Sequence, residues 1–104
     1  MARIVWTREA LRNLDLIGDY MLDVAPASAG PLVARLVDAI EPVASFPRMG
    51  RVVPEFGVEN LRELVIDNFR IVYEIDGEAV YVLSVFHAAM DVASRLRDPG
   101  ERSS

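Results

Sequence analysis

The single histidine of the chain, His87, is the first candidate for chemistry, because histidine is the side chain that most readily gains and loses a proton near neutral pH. It ends a predicted strand, where it would be available as a general acid or base. Glu63 and Glu74 are predicted on the same face of the sheet and are candidates to orient its ring. A lone histidine in this position is also commonly a hydrogen-bonded structural residue, and both interpretations stay open.

Arg70 is the second candidate. The predicted strand pairing places it opposite Val65 and Leu83, with Glu63 and Glu74 within reach of its guanidinium. It is then either an ion-pairing residue that ties the strands together or a clamp for a phosphate group. The neighbouring carboxylates count against the phosphate clamp, because they compete for the same guanidinium.

Three more arginines stand near one another in the middle of the chain. Arg48 and Arg51 bracket Gly50 in a stretch rich in proline and glycine, and Arg62 follows at the start of a predicted strand. They form either a small positive rim or a set of individually solvated side chains.

Several kinds of site are excluded by what the sequence lacks. It contains no cysteine, which rules out thiolate metal sites and cysteine nucleophiles. It also has no glycine-rich phosphate loop, no nucleophile elbow and no spaced carboxylate pair of the metal-binding type. We therefore expect no metal, no cofactor and no conventional catalytic residue.

The composition describes a small acidic domain. The 104 residues carry a formal net charge of −5 and a sequence pI of about 4.7. A chain of this sign repels phosphate backbones unless its basic residues gather on one surface, so direct DNA binding by this chain alone is not expected. With no signal peptide and no apolar span of membrane length, the expected location is the cytoplasm, away from the membrane.

The first half of the chain predicts a strand followed by two helices. Residues 3–6 are a β-branched and aromatic run typical of a strand. Thr7 suits the N-cap of the first helix and Ser28 that of the second, which has Pro31 in its first turn. Because Pro42 removes a backbone donor, the second helix is expected either to kink or to end early near Ile40. The two helices are expected to form an antiparallel hairpin. The apolar stripe of the first helix consists of Ala10, Leu14, Ile17, Met21 and Val24.

The second half predicts three strands, because its apolar residues recur with a period of two. They cover residues 61–66, 69–75 and 78–87 and are linked by the two-residue turns Asp67-Asn68 and Asp76-Gly77.

Those turns fix a register that pairs Ile66 with Phe69 and Ile75 with Glu78. The face expected under the helices carries Leu64, Ile66, Phe69, Ile71, Tyr73, Ile75, Val80, Val82 and Phe86. The opposite face is expected to carry Leu61, Glu63, Val65, Arg70, Val72, Glu74, Tyr81, Leu83, Val85 and His87.

Residues 46–59 are predicted as a long loop, and residues 88–97 as a short C-terminal helix. The predicted fold class is α+β, with an N-terminal strand, an antiparallel helical hairpin and a three-stranded antiparallel meander that forms one sheet with the first strand. Residues 1–98 are assigned to one domain and residues 99–104 to a polar tail.

This order of elements resembles the RelE/ParE superfamily of toxins from bacterial type II toxin–antitoxin modules, and the ParE branch in particular, over nearly the whole chain. The segments that carry the resemblance are Trp6-Thr7 before a helix with Ala10, Leu14, Ile17 and Tyr20, the run FPRMGRVVPE from Phe46, Leu61-Arg62-Glu63-Leu64, Phe69-Arg70-Ile71-Val72-Tyr73 and Val85-Phe86-His87.

The resemblance implies a toxin that inhibits DNA gyrase by protein contact. It also implies a hetero-oligomer in which a cognate antitoxin wraps its C-terminal segment around the toxin and inactivates it. An apolar helix surface beside Trp6, Leu11, Leu16 and Tyr20 is a natural groove for an antitoxin helix. Together with Arg62, Arg70 and His87, these four residues form the predicted partner-binding set.

The alternative within the superfamily is the RelE branch, which cleaves mRNA on the ribosome with clustered basic and aromatic residues. Those positions fall here on Val65, Ala88 and Ser94, and none of these side chains stabilises a phosphorane or moves a proton. The nuclease alternative would depend instead on Arg51, Arg70 and His87.

A third alternative is a non-toxic relative that binds the antitoxin. This alternative is suggested by Met90, which stands where relatives often have an arginine that would contribute to target contact.

Overall fold

A helical hairpin covers one face of a five-stranded sheet in the computed structural model, which describes residues 1–88. The sheet order is β1-β5-β4-β3-β2, with β1 parallel to β5 and the other neighbours antiparallel. This confirms the predicted α+β class, while the predicted C-terminal helix and polar tail lie outside the described residues. The elements are β1 (Arg3–Trp6), α1 (Arg8–Val24), α2 (Pro26–Ile40), two 3-10 turns (Glu41–Ala44 and Pro47–Met49), β2 (Arg51–Val52), β3 (Leu61–Ile66), β4 (Phe69–Asp76) and β5 (Ala79–His87).

Thr7 caps α1, as predicted, and also anchors it to the sheet. Its hydroxyl oxygen accepts a hydrogen bond from the N–H of Ala10 at 3.2 Å and donates to the carbonyl of Val82 at 2.7 Å. The cap therefore fixes both the start of the helix and its position over β5.

The start of α2 differs from the prediction. The helix begins at Pro26, which occupies its first position, so Ser28 is not its cap and Pro31 lies inside it. Proline is well suited to a helix start because its fixed φ is helical and the N–H that it lacks would be unpaired there. The predicted end at Ile40 is confirmed, and a 3-10 turn containing Pro42 follows.

The first hairpin turn follows the prediction. Asp67 and Asn68 both have positive φ angles, 49° and 67°, as the favoured two-residue hairpin turn requires. The register places Ile66 opposite Phe69 and Arg70 opposite Val65.

The second hairpin turn is displaced by one residue. Asp76 pairs with Ala79, so the loop is Gly77-Glu78 and the partner of Ile75 is Val80 rather than Glu78. Gly77 has a φ of +59° at the first loop position, a conformation that glycine adopts without a side-chain clash.

A β-bulge in β5 accounts for the main error in the predicted faces. Tyr73 pairs with Val82, whereas its neighbour Val72 pairs with Ser84, which leaves Leu83 as an extra residue in β5. An extra residue reverses the alternation of every side chain that follows it.

As a result, the last residues of β5 exchange faces relative to the prediction. Val85 joins the core under the helices, and the His87 ring meets Phe69 on that same side. Phe86 lies on the opposite face, where it is the residue opposite Arg70 in place of Leu83. The sequence contains no signal for the bulge, because bulges are set by tertiary contacts.

The sheet is covered on both faces. The main cluster of buried residues under the helices contains Ala10, Leu14, Leu32, Leu36, Ile40, Val43, Ile71, Tyr73, Val80, Val82 and Val85. The cluster on the opposite face contains Val53, Leu61, Val72, Leu83 and Phe86, with Phe56 and Tyr81 packed against it.

The segment predicted as a long loop forms the cover of that second cluster. It contains a 3-10 turn and the edge strand β2, which pairs with β3, and it then folds over the sheet. Gly50 is required at the start of this crossing, because a Cβ there would lie 2.6 Å from the carbonyl oxygen of Glu63 and from the hydroxyl of Tyr73. The Gly50 N–H donates to that hydroxyl at 3.0 Å, and the hydroxyl donates to the Pro47 carbonyl at 2.7 Å. Neither helix within residues 1–88 is long and apolar enough to cross a membrane.

Candidate functional site

An apolar groove of about 370 Å³ lies between α1 and the ends of β4 and β5. Leu16 and Tyr20 project from α1 with exposed fractions of 56% and 64%, and both line this groove. The groove is lined by Asn13, Leu16, Ile17, Tyr20, Phe69, Val85, Phe86 and His87. We call it the α1–β5 groove.

His87 contributes its ring to this groove. The imidazole meets Phe69 edge to face, with ring centroids 5.7 Å apart and an interplanar angle of 74°. Three residues of the predicted partner-binding set, Leu16, Tyr20 and His87, are therefore brought together on one surface.

The other two apolar residues of the set lie elsewhere. Leu11 lines a second groove of about 410 Å³, formed between α1 and α2 over the small residues Gly18, Ala29 and Gly30. Trp6 is partly buried and packs against the core under the helices.

The arginines of the set belong to a network on the opposite face of the sheet. Arg70, whose side chain is 6% exposed, donates from Nε to Glu63 at 2.7 Å and from both terminal nitrogens to Glu55 at 2.8 Å. Arg51 forms a second ion pair with Glu63, whose side chain is fully buried. The Arg70 guanidinium also lies 5.6 Å from the centroid of the Phe86 ring, within the range of a cation–π contact.

This network confirms the ion-pair interpretation of Arg70 with Glu63. Its second partner is Glu55 and not Glu74, because Glu74 lies four residues further along the same strand, roughly 13 Å away at the usual rise per residue. Sequence analysis did not identify Glu55 as a partner of Arg70. A loop has no periodic pattern that would indicate which strand it covers.

The charges of the network are strongly coupled. The hydrogen bonds from Arg70 lower the pKa of Glu55 to about 2, against an opposing effect of desolvation. The same hydrogen bonds, which the Glu55 carboxylate accepts, raise the pKa of Arg70. Both groups are thus fixed in their charged forms at neutral pH.

Arg62 binds both ends of the segment that crosses the sheet between α2 and β3, residues 46–59, which we call the crossing segment. Its guanidinium donates to the backbone carbonyls of Arg48 and Gly50 at 3.1 and 3.0 Å, and to the Glu59 carboxylate at 2.7 Å. Arg48 pairs with that same carboxylate. These arginines thus bind protein groups, and the side chains of Arg48 and Arg51 stay more than half exposed.

The three residues named for a nuclease are separated by the sheet. Arg51 and Arg70 lie in the network on one face, whereas His87 lies in the groove on the other. Within residues 1–88, no group of three or more histidine, aspartate and glutamate side chains is placed to hold a metal ion.

Comparisons with known proteins agree with this architecture. A family model described as "ParE toxin of type II toxin-antitoxin system, parDE" matches residues 4–92. Toxin RelE2 of Caulobacter vibrioides is 34% identical over 90 residues, which cover 86% of this chain and 98% of that protein. The putative toxin Y4kP of Sinorhizobium fredii is 39% identical over 88 residues, 83% of this chain and 88% of its own.

A solved structure of the chromosomal ParDE toxin–antitoxin system from P. aeruginosa has the same fold. It superposes with a TM-score of 0.72 at 24% identity and covers 84% of this chain and 96% of its own. With the family match extending from β1 past the end of β5, these comparisons confirm the resemblance predicted from the sequence. The chain belongs to the ParE toxin family of type II toxin–antitoxin systems.

Proposed function

We propose that this toxin acts by protein contact, that its target is DNA gyrase, and that a cognate antitoxin inactivates it in the cytoplasm. The family match and the relatives named as toxins support the toxin–antitoxin part of the proposal. The solved neighbour belongs to a ParDE toxin–antitoxin system, which supports an antitoxin as the partner. The gyrase part follows from the match to the ParE branch, and the chemistry of the described residues supports protein contact over RNA cleavage.

One observation carries the choice of protein contact over RNA cleavage: both arginines that would serve a nuclease are paired with carboxylates, Arg70 inside the fold and Arg51 at its surface. RNA cleavage without a metal needs groups that activate the 2′-hydroxyl, stabilise the charged phosphorus centre and protonate the leaving oxygen. Arg70 is buried between Glu55 and Glu63, and a phosphate would have to displace two carboxylates to reach it. His87 lies on the far side of the sheet from that guanidinium.

The exposed apolar surface of α1 supports the antitoxin part. Leu16 and Tyr20 stand one helical turn apart, so they present two adjacent anchors to a partner. An amphipathic helix that lays its apolar face into such a groove is a recurring mode of recognition. We place the antitoxin segment along the α1–β5 groove, with His87 at its edge.

The decisive test is a supercoiling assay with purified DNA gyrase and purified toxin. We expect inhibition that grows with toxin concentration and that is relieved by equimolar antitoxin. Unchanged supercoiling at a large molar excess of toxin would exclude gyrase as the target.

A parallel measurement addresses the nuclease alternative. The toxin is added to a translating extract, and the integrity of a defined mRNA is followed with time. We expect intact transcripts. Cleavage that requires ribosomes and is lost in His87→Ala or Arg70→Ala would establish the RelE-type activity instead.

A further inference from the structure

Asn13 is a buried polar residue in the middle of α1, with an exposed fraction of 3%. Its side-chain oxygen accepts two hydrogen bonds from β5, one from the hydroxyl of Ser84 and one from the N–H of Val85, both at 2.9 Å. Its side-chain nitrogen donates to Glu9 one turn earlier in the helix at 2.9 Å. Every hydrogen-bonding atom of the amide except one donor hydrogen is therefore used.

These bonds fall at the bulge of β5. β1 pairs with β5 only as far as Val82, and the extra residue Leu83 follows at once. A bulge leaves a backbone group without its usual partner in the ladder. The N–H of Val85 lies just beyond the end of β1, and the Asn13 oxygen supplies the acceptor that a neighbouring strand would otherwise provide.

The bulge determines what lines the α1–β5 groove. Without the extra residue, the regular alternation would place Val85 and His87 on the opposite face, as predicted from the sequence. With it, Val85 lies in the groove floor and His87 meets Phe69.

We infer that Asn13 is a positioning residue of the partner-binding surface: it holds the β5 bulge and so builds the groove that Leu16, Tyr20 and His87 share. The inference rests on the proposed function in so far as that groove binds the antitoxin. Asn13 acts through Val85 and Ser84 and needs no contact with the partner itself.

The test compares Asn13→Ala with a matched core variant, Ile40→Val. Ile40 is fully buried in the core under the helices but does not line the groove, so its truncation lowers stability without touching the bulge. We expect Asn13→Ala to speed hydrogen exchange at the Val85 amide, to weaken the nuclear Overhauser contact between the Phe69 and His87 rings, and to reduce antitoxin affinity by about tenfold or more. Ile40→Val should keep the ring contact and an affinity within about twofold of the parent.

A rescue variant keeps the test valid if Asn13→Ala fails to fold. In Asn13→Asp combined with Glu9→Gln, the new carboxylate still accepts from Ser84 and Val85. The glutamine amide introduced at position 9 now donates to that carboxylate, so the hydrogen-bond pattern and the net charge are both preserved. We expect this pair to retain Val85 protection, the ring contact and antitoxin binding, whereas Glu9→Gln alone changes none of them.

Two outcomes would overturn the inference. One is an Asn13→Ala protein with the parent's Val85 exchange rate and ring contact. The other is a rescue pair that is as impaired as Asn13→Ala. If the parent protein itself binds no antitoxin, the proposed function fails, and the exchange and ring-contact measurements still decide whether Asn13 holds the bulge.

Discussion

At the scale of single residues, exposure distinguishes the side chains that support the fold from those available to a partner. Leu14 and Leu16 stand two positions apart on α1, yet Leu14 is buried in the core and Leu16 is 56% exposed. The helical period explains the difference, since residues two apart point to different sides of a helix. Leu16 therefore contributes little to the core and is available for binding.

Replacing the two exposed anchors gives a prediction at this scale. The double variant Leu16→Ser and Tyr20→Ser should weaken antitoxin binding by about tenfold or more, because large apolar anchors carry most of the energy of such interfaces. The melting temperature should change little. Binding is measured by isothermal titration calorimetry with purified antitoxin.

Val24 offers the matched control for this variant. It lies on the same helix with a similar exposed fraction, 57%, but lines neither groove. Val24→Ser should bind antitoxin as the parent does. Equal losses in Val24→Ser and in the double variant would show that the α1–β5 groove is not the binding surface.

At the scale of elements, the crossing segment between α2 and β3 is held by charge as well as by apolar contacts. Arg70 joins β4 to Glu63 on β3 and to Glu55 in the segment, so one guanidinium connects three parts of the chain. Breaking such a buried pair from one side leaves a carboxylate without its compensation.

Arg70→Met should therefore destabilise the protein by about 3 kcal/mol or more, mainly because Glu63 remains buried with one fewer cation. The free energy of unfolding is measured by urea denaturation at neutral pH. Arg35→Met is the control, since Arg35 pairs with Asp67 on the surface with more than half of its side chain exposed, and surface pairs contribute about 0–1 kcal/mol. Similar losses in the two variants would contradict a special role for the Arg70 network.

The elements and the pairing of β3 with β4 were largely predictable from the sequence, whereas the pairing of β4 with β5 was not. β1 and β3 have the predicted bounds, and α1 begins after its predicted cap, because local signals define them: a capping threonine, an apolar stripe and a two-residue turn with Asp67 and Asn68. The bulge at Leu83 is fixed by Asn13, which lies about seventy residues earlier, and local patterning cannot reveal such a contact.

The candidate site was predicted only in part for the same reason. Leu16 and Tyr20 were named as candidates because they fall off the core stripe of their own helix, and the structure places both in the α1–β5 groove. Their neighbour His87 was assigned to the wrong face, since its side is decided by the bulge. Glu55 was missed, because nothing in a loop sequence states which strand the loop will cover.

At the scale of the whole molecule, the Arg70 network makes stability depend on acid pH. The pKa of Glu55 is lowered from 4.5 to about 2 by its hydrogen bonds to Arg70, with weaker help from the charges of Arg70 and Arg51. A carboxyl group whose pKa is lower in the folded state stabilises the protein above its unfolded value. That stabilisation is lost as the pH falls from about 4.5 through about 2.

Glu55→Gln tests this dependence. The variant should be less stable than the parent at neutral pH, and the difference should shrink between about pH 4.5 and pH 2 as the parent's Glu55 takes up its proton. Urea midpoints measured across this range give the comparison. A difference that stays constant down to pH 2 would mean that Glu55 contributes through packing rather than through its charge.

The parallel pairing of β1 with β5 also determines when the sheet can form during synthesis of the chain. Residues 3–6 are synthesised well before their partners, residues 79–82. Long-range pairings form only when both segments are present, so a nascent chain that stops before residue 79 holds an unpaired first strand and lacks β5 altogether. The five-stranded sheet is thus completed only once β5 has been synthesised, long after β1.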